Sequence, residues 1–134
     1  MRIFLDTNVL VAAFAARGLC ADVLRTVLAE HELITGEVVL GELRDVLEQR
    51  IKLPPGVVAD IVALLRAQEV VPRPAAPSDI VVRDPDDRWI LASAVAGRAD
   101  VLVTGDQDLL AIAEQAPLTI LNPRGLWDRL RSGS

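Results

Sequence analysis

Short runs of aliphatic residues alternate with longer stretches in which apolar side chains recur at helical spacing. This alternation restricts the fold more than any other feature, because strands separated by helices pair in parallel through right-handed crossovers. We expect a three-layer α/β/α sandwich around a mostly parallel central sheet of 4–5 strands. The predicted strands are residues 2–5, 32–34, 70–71, 101–104 and 118–121.

The composition agrees with a sheet that helices cover on both faces. Hydrophobic residues make up 51% of the chain but aromatic residues only 3%, so the core must consist of Val, Leu, Ile and Ala. A length of 134 residues predicts one domain over residues 1–134, with a frayed end at 131–134. The net charge of −5 argues against a broad basic nucleic-acid-binding face. It does not exclude a nucleic-acid substrate, because bound metal ions can reverse the local charge of a site.

The amino-terminal region and the cysteine content indicate the compartment. Cys20 is the one cysteine, which excludes an internal disulfide and favours a reducing environment. Asp6 and Asn8 interrupt the apolar start, so we do not expect a signal peptide. No apolar run approaches the roughly 20 residues of a membrane-spanning helix. The sequence therefore predicts a cytoplasmic protein without a membrane segment.

Acidic residues follow two of the predicted strands. Asp6 comes directly after strand 2–5, and Asp106 lies two residues beyond strand 101–104. Ligands of open parallel sheets bind beyond the carboxyl ends of the strands. We therefore expect both carboxylates to point into one region.

Helix capping is the alternative explanation for these two acids. It is plausible for Asp106, because a helix is predicted shortly after it. It is weaker for Asp6, because Thr7 or Asn8 is the expected cap of the helix predicted at residues 9–16. Asp6 is therefore the stronger functional candidate.

Glu42 is a third candidate. It lies in a predicted amphipathic helix over residues 38–51, and three of its four helical neighbours are apolar. No Lys or Arg stands at a pairing position, so a half-buried Glu42 needs another partner. The alternative is a glutamate at the edge of the apolar face whose carboxylate reaches water.

The acids around Pro85 differ in their expected roles. Asp84 before Pro85 is typical of a helix start, with Asp84 as the cap. Asp87 heads the apolar stripe of the predicted helix 86–96 and should face the sheet. We assign a functional role to Asp87 and capping to Asp84, and leave Asp86 open between the two.

Four converging carboxylates without a basic partner would repel one another and would have raised pKa values. Divalent cations remove this conflict, and all-oxygen ligands favour Mg²⁺ or Mn²⁺ over Zn²⁺. The chain has one His and one Cys, which also argues against zinc. One or two such ions would activate a water and stabilise a phosphodiester under attack. The predicted catalytic and metal-binding residues are Asp6, Glu42, Asp87 and Asp106.

Four motifs occur in an order that resembles a known family. They are FLDTNVL, VLGEL, DDRWILASAVAGRADVLVTGDQDL and TILNP. Together they resemble the PIN-domain ribonucleases, above all the toxin components of VapBC-type toxin–antitoxin pairs. The resemblance covers nearly the whole chain.

The resemblance implies a metal-dependent endoribonuclease that hydrolyses RNA by in-line attack of a metal-activated water. The four acids match the four acids of the family by position. Thr7, Asn8 and Thr104 match its polar supports, with Thr104 orienting Asp106 or a water, and Asp108 is implied as an outer acid. The resemblance also implies an antitoxin whose tail fills the acidic cleft, and a homodimer.

Two segments depart from the family pattern, and two other functions stay open. Residues 35–37 read Thr-Gly-Glu where Ser and a small residue are usual, and the loop at 72–83 is long. An aspartyl-nucleophile phosphatase would need a second Asp where Asn8 stands. It would also need a basic residue to hold the phosphoryl group, and Lys52 lies at the loop-bound end of a predicted helix. A catalytically silent PIN-like binding module is the other alternative.

Overall fold

The computed structural model describes residues 1–132, which contain a five-stranded sheet in which every strand pair is parallel. This confirms the predicted α/β sandwich and fixes the number of strands in the described residues at five. The strands are β1 (Arg2–Leu5), β2 (Glu32–Gly36), β3 (Glu69–Val71), β4 (Val101–Val103) and β5 (Thr119–Leu121).

Seven α-helices connect and follow these strands within the described residues. They are α1 (Thr7–Ala15), α2 (Leu19–Glu30), α3 (Glu37–Asp45), α4 (Pro55–Arg66), α5 (Asp87–Ala96), α6 (Gln107–Ala111) and α7 (Pro123–Arg131). None of these helices is long and apolar enough to cross a membrane by itself. Helices α1 and α2 taken together have the length and apolar composition of a membrane-spanning segment, but the chain bends by 104° between them.

The strand order places β1 at the centre of the sheet. The order is β3-β2-β1-β4-β5, and Phe4 of β1 pairs with Ile34 of β2 on one side and Leu102 of β4 on the other. The chain builds outward in one direction from β1 and in the opposite direction from β4. Such a switch point opens a crevice at the carboxyl ends of the two strands, where ligands of this fold class bind.

The core consists of aliphatic side chains on the strands and on the inner faces of the helices. Ile3, Phe4 and Leu5 of β1 are fully buried, as are Leu102 and Val103 of β4. Helix α1 packs against α2 and α3, and α5 packs against α3 and β2. A strand this apolar has no means of solvating a charge, so a carboxylate at its end must find partners close by.

The predicted continuous helix over residues 38–51 is wrong in one respect. Helix α3 ends at Asp45, and Val46–Arg50 form a π-helical turn. The Ile51 N–H donates to the Val46 carbonyl at 3.0 Å, five residues back. A π-turn inserts one extra residue into the helical repeat, so every side chain beyond it changes face.

Two helix boundaries also differ from expectation. Helix α1 begins at Thr7, two residues before the predicted start, because Asp6 caps it. The prediction of a frayed end is wrong for Arg131, which lies in α7 behind an Asn122 cap. Residues 133 and 134, for which fraying was also predicted, lie outside the described residues.

We predict that Gly97→Ala destabilises the protein. A Cβ at Gly97 would lie 2.7 Å from Ile34 Cγ2 and 2.8 Å from Val71 Cγ2, and both neighbours are stiff β-branched side chains. The free energy of unfolding should fall by about 1–3 kcal/mol in chemical denaturation. Gly41→Ala is the matched control, because a Cβ there meets nothing within 4 Å inside α3. It should raise stability by about 0.5–1 kcal/mol, and equal effects of the two substitutions would contradict the packing described.

Candidate active site

Asp6 lies where β1 ends, and its carboxylate is only 3% exposed. Three donors surround it: the Thr7 N–H reaches Oδ1 at 2.7 Å, while the Thr104 hydroxyl at 2.7 Å and the Asn8 amide at 3.2 Å reach Oδ2. Burial raises the pKa of Asp6, and the hydrogen bonds from Thr104 and Thr7 oppose that rise. The expectation that Thr7 or Asn8 caps α1 is wrong, because Asp6 is the cap.

Thr104 and Asn8 join the ends of β1 and β4. The buried Thr104 hydroxyl donates to Asp6 and accepts from the Asp106 N–H at 3.0 Å. The Asn8 amide donates to Asp6, and its oxygen accepts from the Gly105 N–H at 2.9 Å. These bonds fix Asp6 relative to the loop that carries Asp106.

Asp106 both caps a helix and lies in the acidic group. Its Oδ1 accepts from the Asp108 N–H at 2.8 Å at the start of α6. Carboxylate oxygens of Asp87, Asp106 and Asp108 all lie within 4.8 Å of one another, close enough to hold one metal ion. The capping and functional explanations for Asp106 therefore do not exclude each other.

Glu42 projects from α3 and is half-buried. Its Oε2 accepts from the Thr7 hydroxyl at 3.1 Å, so Thr7 contacts Asp6 through its backbone and Glu42 through its side chain. No Lys or Arg of residues 1–132 forms an ion pair with Glu42. Burial, with smaller contributions from the charges of Asp6 and Asp86, raises the pKa of Glu42.

Asp87 is the least satisfied carboxylate in the described part of the chain. It opens α5, is 7% exposed, and no donor within residues 1–132 reaches its buried Oδ2. Burial raises the pKa of Asp87 to about 8, and the adjacent Asp106 carboxylate adds to the rise by accepting a hydrogen bond from the protonated form. An ionised Asp87 therefore needs a cation beside it.

A single open cleft of about 550 Å³ brings the acids together at the carboxyl ends of β1 and β4. The four predicted acids line it, as do the exposed Asp84 and Asp86. Asp84 Oδ1 accepts from the Asp86 N–H at 3.0 Å in the turn before α5. The prediction that Asp84 caps the helix is wrong, because α5 begins at Asp87 and Asp86 occupies the N-cap position. Asp108 belongs to the tight group around Asp87 but does not line the cleft.

Arg50 is a cleft residue that the sequence analysis missed. It lines the cleft together with Glu42 and Val46, and it forms no ion pair with any acid of residues 1–132. A regular helix would place residue 49, seven positions after Glu42, on the cleft face. The π-turn shifts this by one residue, and nothing in the sequence pattern signals the shift. The four predicted acids thus form no ion pair with a basic residue in the described part of the chain, although Arg50 lines the same cleft. Lys52 does not line the cleft.

The donor set fits a hard divalent cation. Apart from Arg50, every titratable side chain that lines the cleft is a carboxylate. Asp87 Oδ2 is a buried oxygen that accepts no hydrogen bond from the described residues. A cation bound there would satisfy that oxygen and separate the negative charges of Asp87 and Asp106. The acidic group of Asp87, Asp106 and Asp108 is thus able to bind a metal.

The fold and the cleft define a parallel α/β protein with an acidic site where the strand order reverses. Comparison with known proteins identifies its family. The model of the PIN domain matches residues 2–108. The chain belongs to the PIN domain family. The comparison with curated proteins gave no match.

Several solved structures share the fold. VapBC2 from Rickettsia felis, bound to a DNA fragment from its promoter, is 18% identical with a TM-score of 0.61, over 91% of this chain and 98% of that one. FitAcB from Neisseria gonorrhoeae is 18% identical with a TM-score of 0.59, over 90% and 97%. Mycobacterium tuberculosis VapC20, described as a sarcin–ricin-loop-cleaving toxin, is 18% identical with a TM-score of 0.57, over 81% and 93%.

We predict that Asp87→Asn stabilises the metal-free protein at high pH. The pKa of Asp87 is raised from 3.8 to about 8 in the folded state, so the folded protein holds a proton that the unfolded chain releases. Its contribution to stability is complete below pH 3.8 and is lost as the pH rises through about 8. In EDTA at pH 8.5 the variant should therefore be more stable than the parent by about 1–3 kcal/mol.

The measurement is chemical denaturation of the parent, Asp87→Asn and Asp60→Asn between pH 5 and pH 8.5. Asp60 is exposed on α4, so its substitution should follow the parent at every pH. A constant difference between Asp87→Asn and the parent across this range would contradict the raised pKa.

Proposed function

We propose that this protein is a metal-dependent endoribonuclease that hydrolyses RNA phosphodiester bonds. The observation that carries the proposal is the buried Asp87 carboxylate, which lacks a donor at Oδ2 and faces other acids in an open cleft. Such an arrangement is unfavourable for the isolated protein and becomes favourable with bound divalent cations. Membership of the PIN domain family supports the same reading.

The proposed cofactor is Mg²⁺ or Mn²⁺, as one ion or two. Asp87 and Asp106 would hold an ion, with Asp108 as an additional ligand, and Asp6 and Glu42 supply the remaining charge. Bound there, the cation would lower the pKa of a water and stabilise negative charge on the phosphodiester.

The chain's own residues orient this centre. Thr104 holds Asp6 through a hydroxyl donor, and Thr7 bridges from Asp6 to Glu42. These bonds keep carboxylates on β1, α3 and the β4 loop in fixed relative positions, which the alignment of an attacking water with a leaving oxygen requires. Arg50, at the same cleft, is placed to contact a phosphate of the bound strand.

The proposal extends to the biological role. The resemblance to VapBC toxins, and the similarity in fold to VapBC2 and VapC20, support a toxin of a cytoplasmic toxin–antitoxin pair. An antitoxin would then cover the acidic cleft, and a second copy of the chain would form a homodimer. Large apolar side chains remain exposed in the monomer, among them Val81 at 78%, and they are compatible with such contacts.

We predict that Asp6→Asn and Asp87→Asn abolish RNA cleavage without unfolding the chain. Each removes one negative charge from the cation's surroundings, so kcat should fall at least about 100-fold. The assay follows cleavage of structured and single-stranded RNA in Mg²⁺, in Mn²⁺ and in EDTA, with Asp60→Asn as the control. Equal activity of Asp6→Asn and the parent, or full activity in EDTA, would overturn the assignment.

The alternatives have distinct outcomes in the same assay. Hydrolysis of small phosphomonoesters without RNA cleavage would favour the aspartyl-nucleophile phosphatase. Binding of RNA without cleavage in either metal would favour the silent binding module. The Asn8 side chain argues against the phosphatase, because an amide cannot transfer the proton that a second Asp would carry, and here it holds Asp6 and Gly105 instead.

We also predict that Arg50→Gln raises KM for RNA and leaves kcat nearly unchanged. An exposed ion contact contributes about 0.2–1 kcal/mol, which corresponds to a change in KM of up to about fivefold. The effect should shrink at high salt, because screening weakens an exposed contact. Arg129→Gln on α7 is the control. A fall in kcat without a change in KM, or an effect that salt does not alter, would contradict the phosphate contact.

A further inference from the structure

A second cavity of about 360 Å³ adjoins the acidic cleft. The two share Asn8, Ala12 and Asp106 as walls, so the cavity begins where the cleft ends. Asp106 belongs to the group that is able to hold the cation. A group in this cavity would therefore lie next to a phosphate bound in the cleft.

The cavity is mostly apolar. Val9, Ala12, Cys20 and Pro123 form most of its lining, and Asp106 at the shared wall is the one charged residue among those that line it. Pro123 begins α7 and lies beyond residues 2–108, which the PIN domain model matches. One wall of the cavity thus comes from a part of the chain that the family match does not include.

We propose that this cavity receives one unpaired nucleobase of the RNA, from a nucleotide adjoining the phosphate that is cleaved. This inference rests on the proposed function and specifies its substrate. The cavity volume is at the lower end of ligand sites, about 300–1,000 Å³, which suits a single ring system. A neutral, flat base matches an apolar lining, whereas a phosphate would meet no cation and would face Asp106.

The residues shared by the cleft and the cavity also determine how the base is recognised. The Asn8 NH2 group donates to Asp6 and to Thr104, so both of its N–H donors are engaged within the protein, and its oxygen accepts from the Gly105 N–H. Contacts of this kind discriminate by shape and by accessibility rather than by a hydrogen-bond code. A base within a duplex is stacked and paired, so the cavity requires a single-stranded or looped substrate.

Cys20 allows the cavity to be observed directly, because it is the only cysteine of the chain. The experiment measures the rate of Cys20 alkylation by iodoacetamide in Ca²⁺, with a single-stranded hexaribonucleotide or with an abasic strand of the same length. Fluorescence anisotropy reports binding of each strand. We expect the strand with bases to slow alkylation at least fivefold and the abasic strand to leave the rate unchanged.

A variant in which the cysteine is moved away from the cavity serves as the control for this measurement. In Cys20→Ser/Ala59→Cys the thiol lies on the exposed side of α4, and neither strand should alter its rate. Equal alkylation of Cys20 with and without a bound strand, while RNA is cleaved, would overturn the base site alone. Protection by the abasic strand would overturn it as well. Absence of both binding and cleavage would overturn the proposed function together with it.

A second variant tests the same cavity by filling it. Cys20→Leu adds volume to the wall, so KM for single-stranded RNA should rise about tenfold while the thermal midpoint stays near that of the parent. Ala59→Leu adds a comparable side chain on α4 and should change neither quantity. An unchanged KM for a folded Cys20→Leu would overturn the base site. Protection of Cys20 by a co-expressed protein but not by RNA would assign the cavity to a protein side chain instead, and would also overturn it.

Discussion

The Asp6 carboxylate is buried at the end of an apolar strand, and the loops around it are held by the hydrogen bonds that this burial requires. The sheet is aliphatic, so Asp6 obtains its solvation from three donors supplied by Thr7, Asn8 and Thr104. Asp87, across the same cleft, has an oxygen that no donor of the described residues reaches. Asp6 is therefore fully hydrogen-bonded, whereas Asp87 is not, and a divalent cation would stabilise the ionised form of Asp87.

The topology explains why these acids meet although they are far apart in the sequence. Strands β1 and β4 are neighbours at the switch point of the sheet, so the residues that follow them emerge side by side. Thr104 takes part in both loops through its hydroxyl. Helices α3 and α5 pack against each other and bring Glu42 and Asp87 to the same opening. A few short polar contacts at the ends of the strands therefore define the whole site.

Much of this arrangement was predictable because strand ends and apolar stripes are visible in a sequence. The parallel sheet, and the position of Asp6 at the end of its strand, follow from the aliphatic runs and the residues after them. The burial of Asp87 follows from its place at the head of an apolar stripe. Other features had no such signal. Asp6 as the helix cap depends on a local backbone geometry, and Arg50 reaches the cleft only because a π-turn inserts one residue.

Anomalous diffraction from crystals grown with Mn²⁺ would show whether the acids around Asp87 bind a divalent cation. We expect an anomalous peak at the carboxyl ends of β1 and β4, with carboxylate oxygens of Asp87 and Asp106 about 2.1 Å from the ion. The peak should disappear in crystals of Asp87→Asn. A map without a peak in the cleft, or with Mn²⁺ only at exposed acids elsewhere such as Asp60, would show that the acids around Asp87 do not form a cation site.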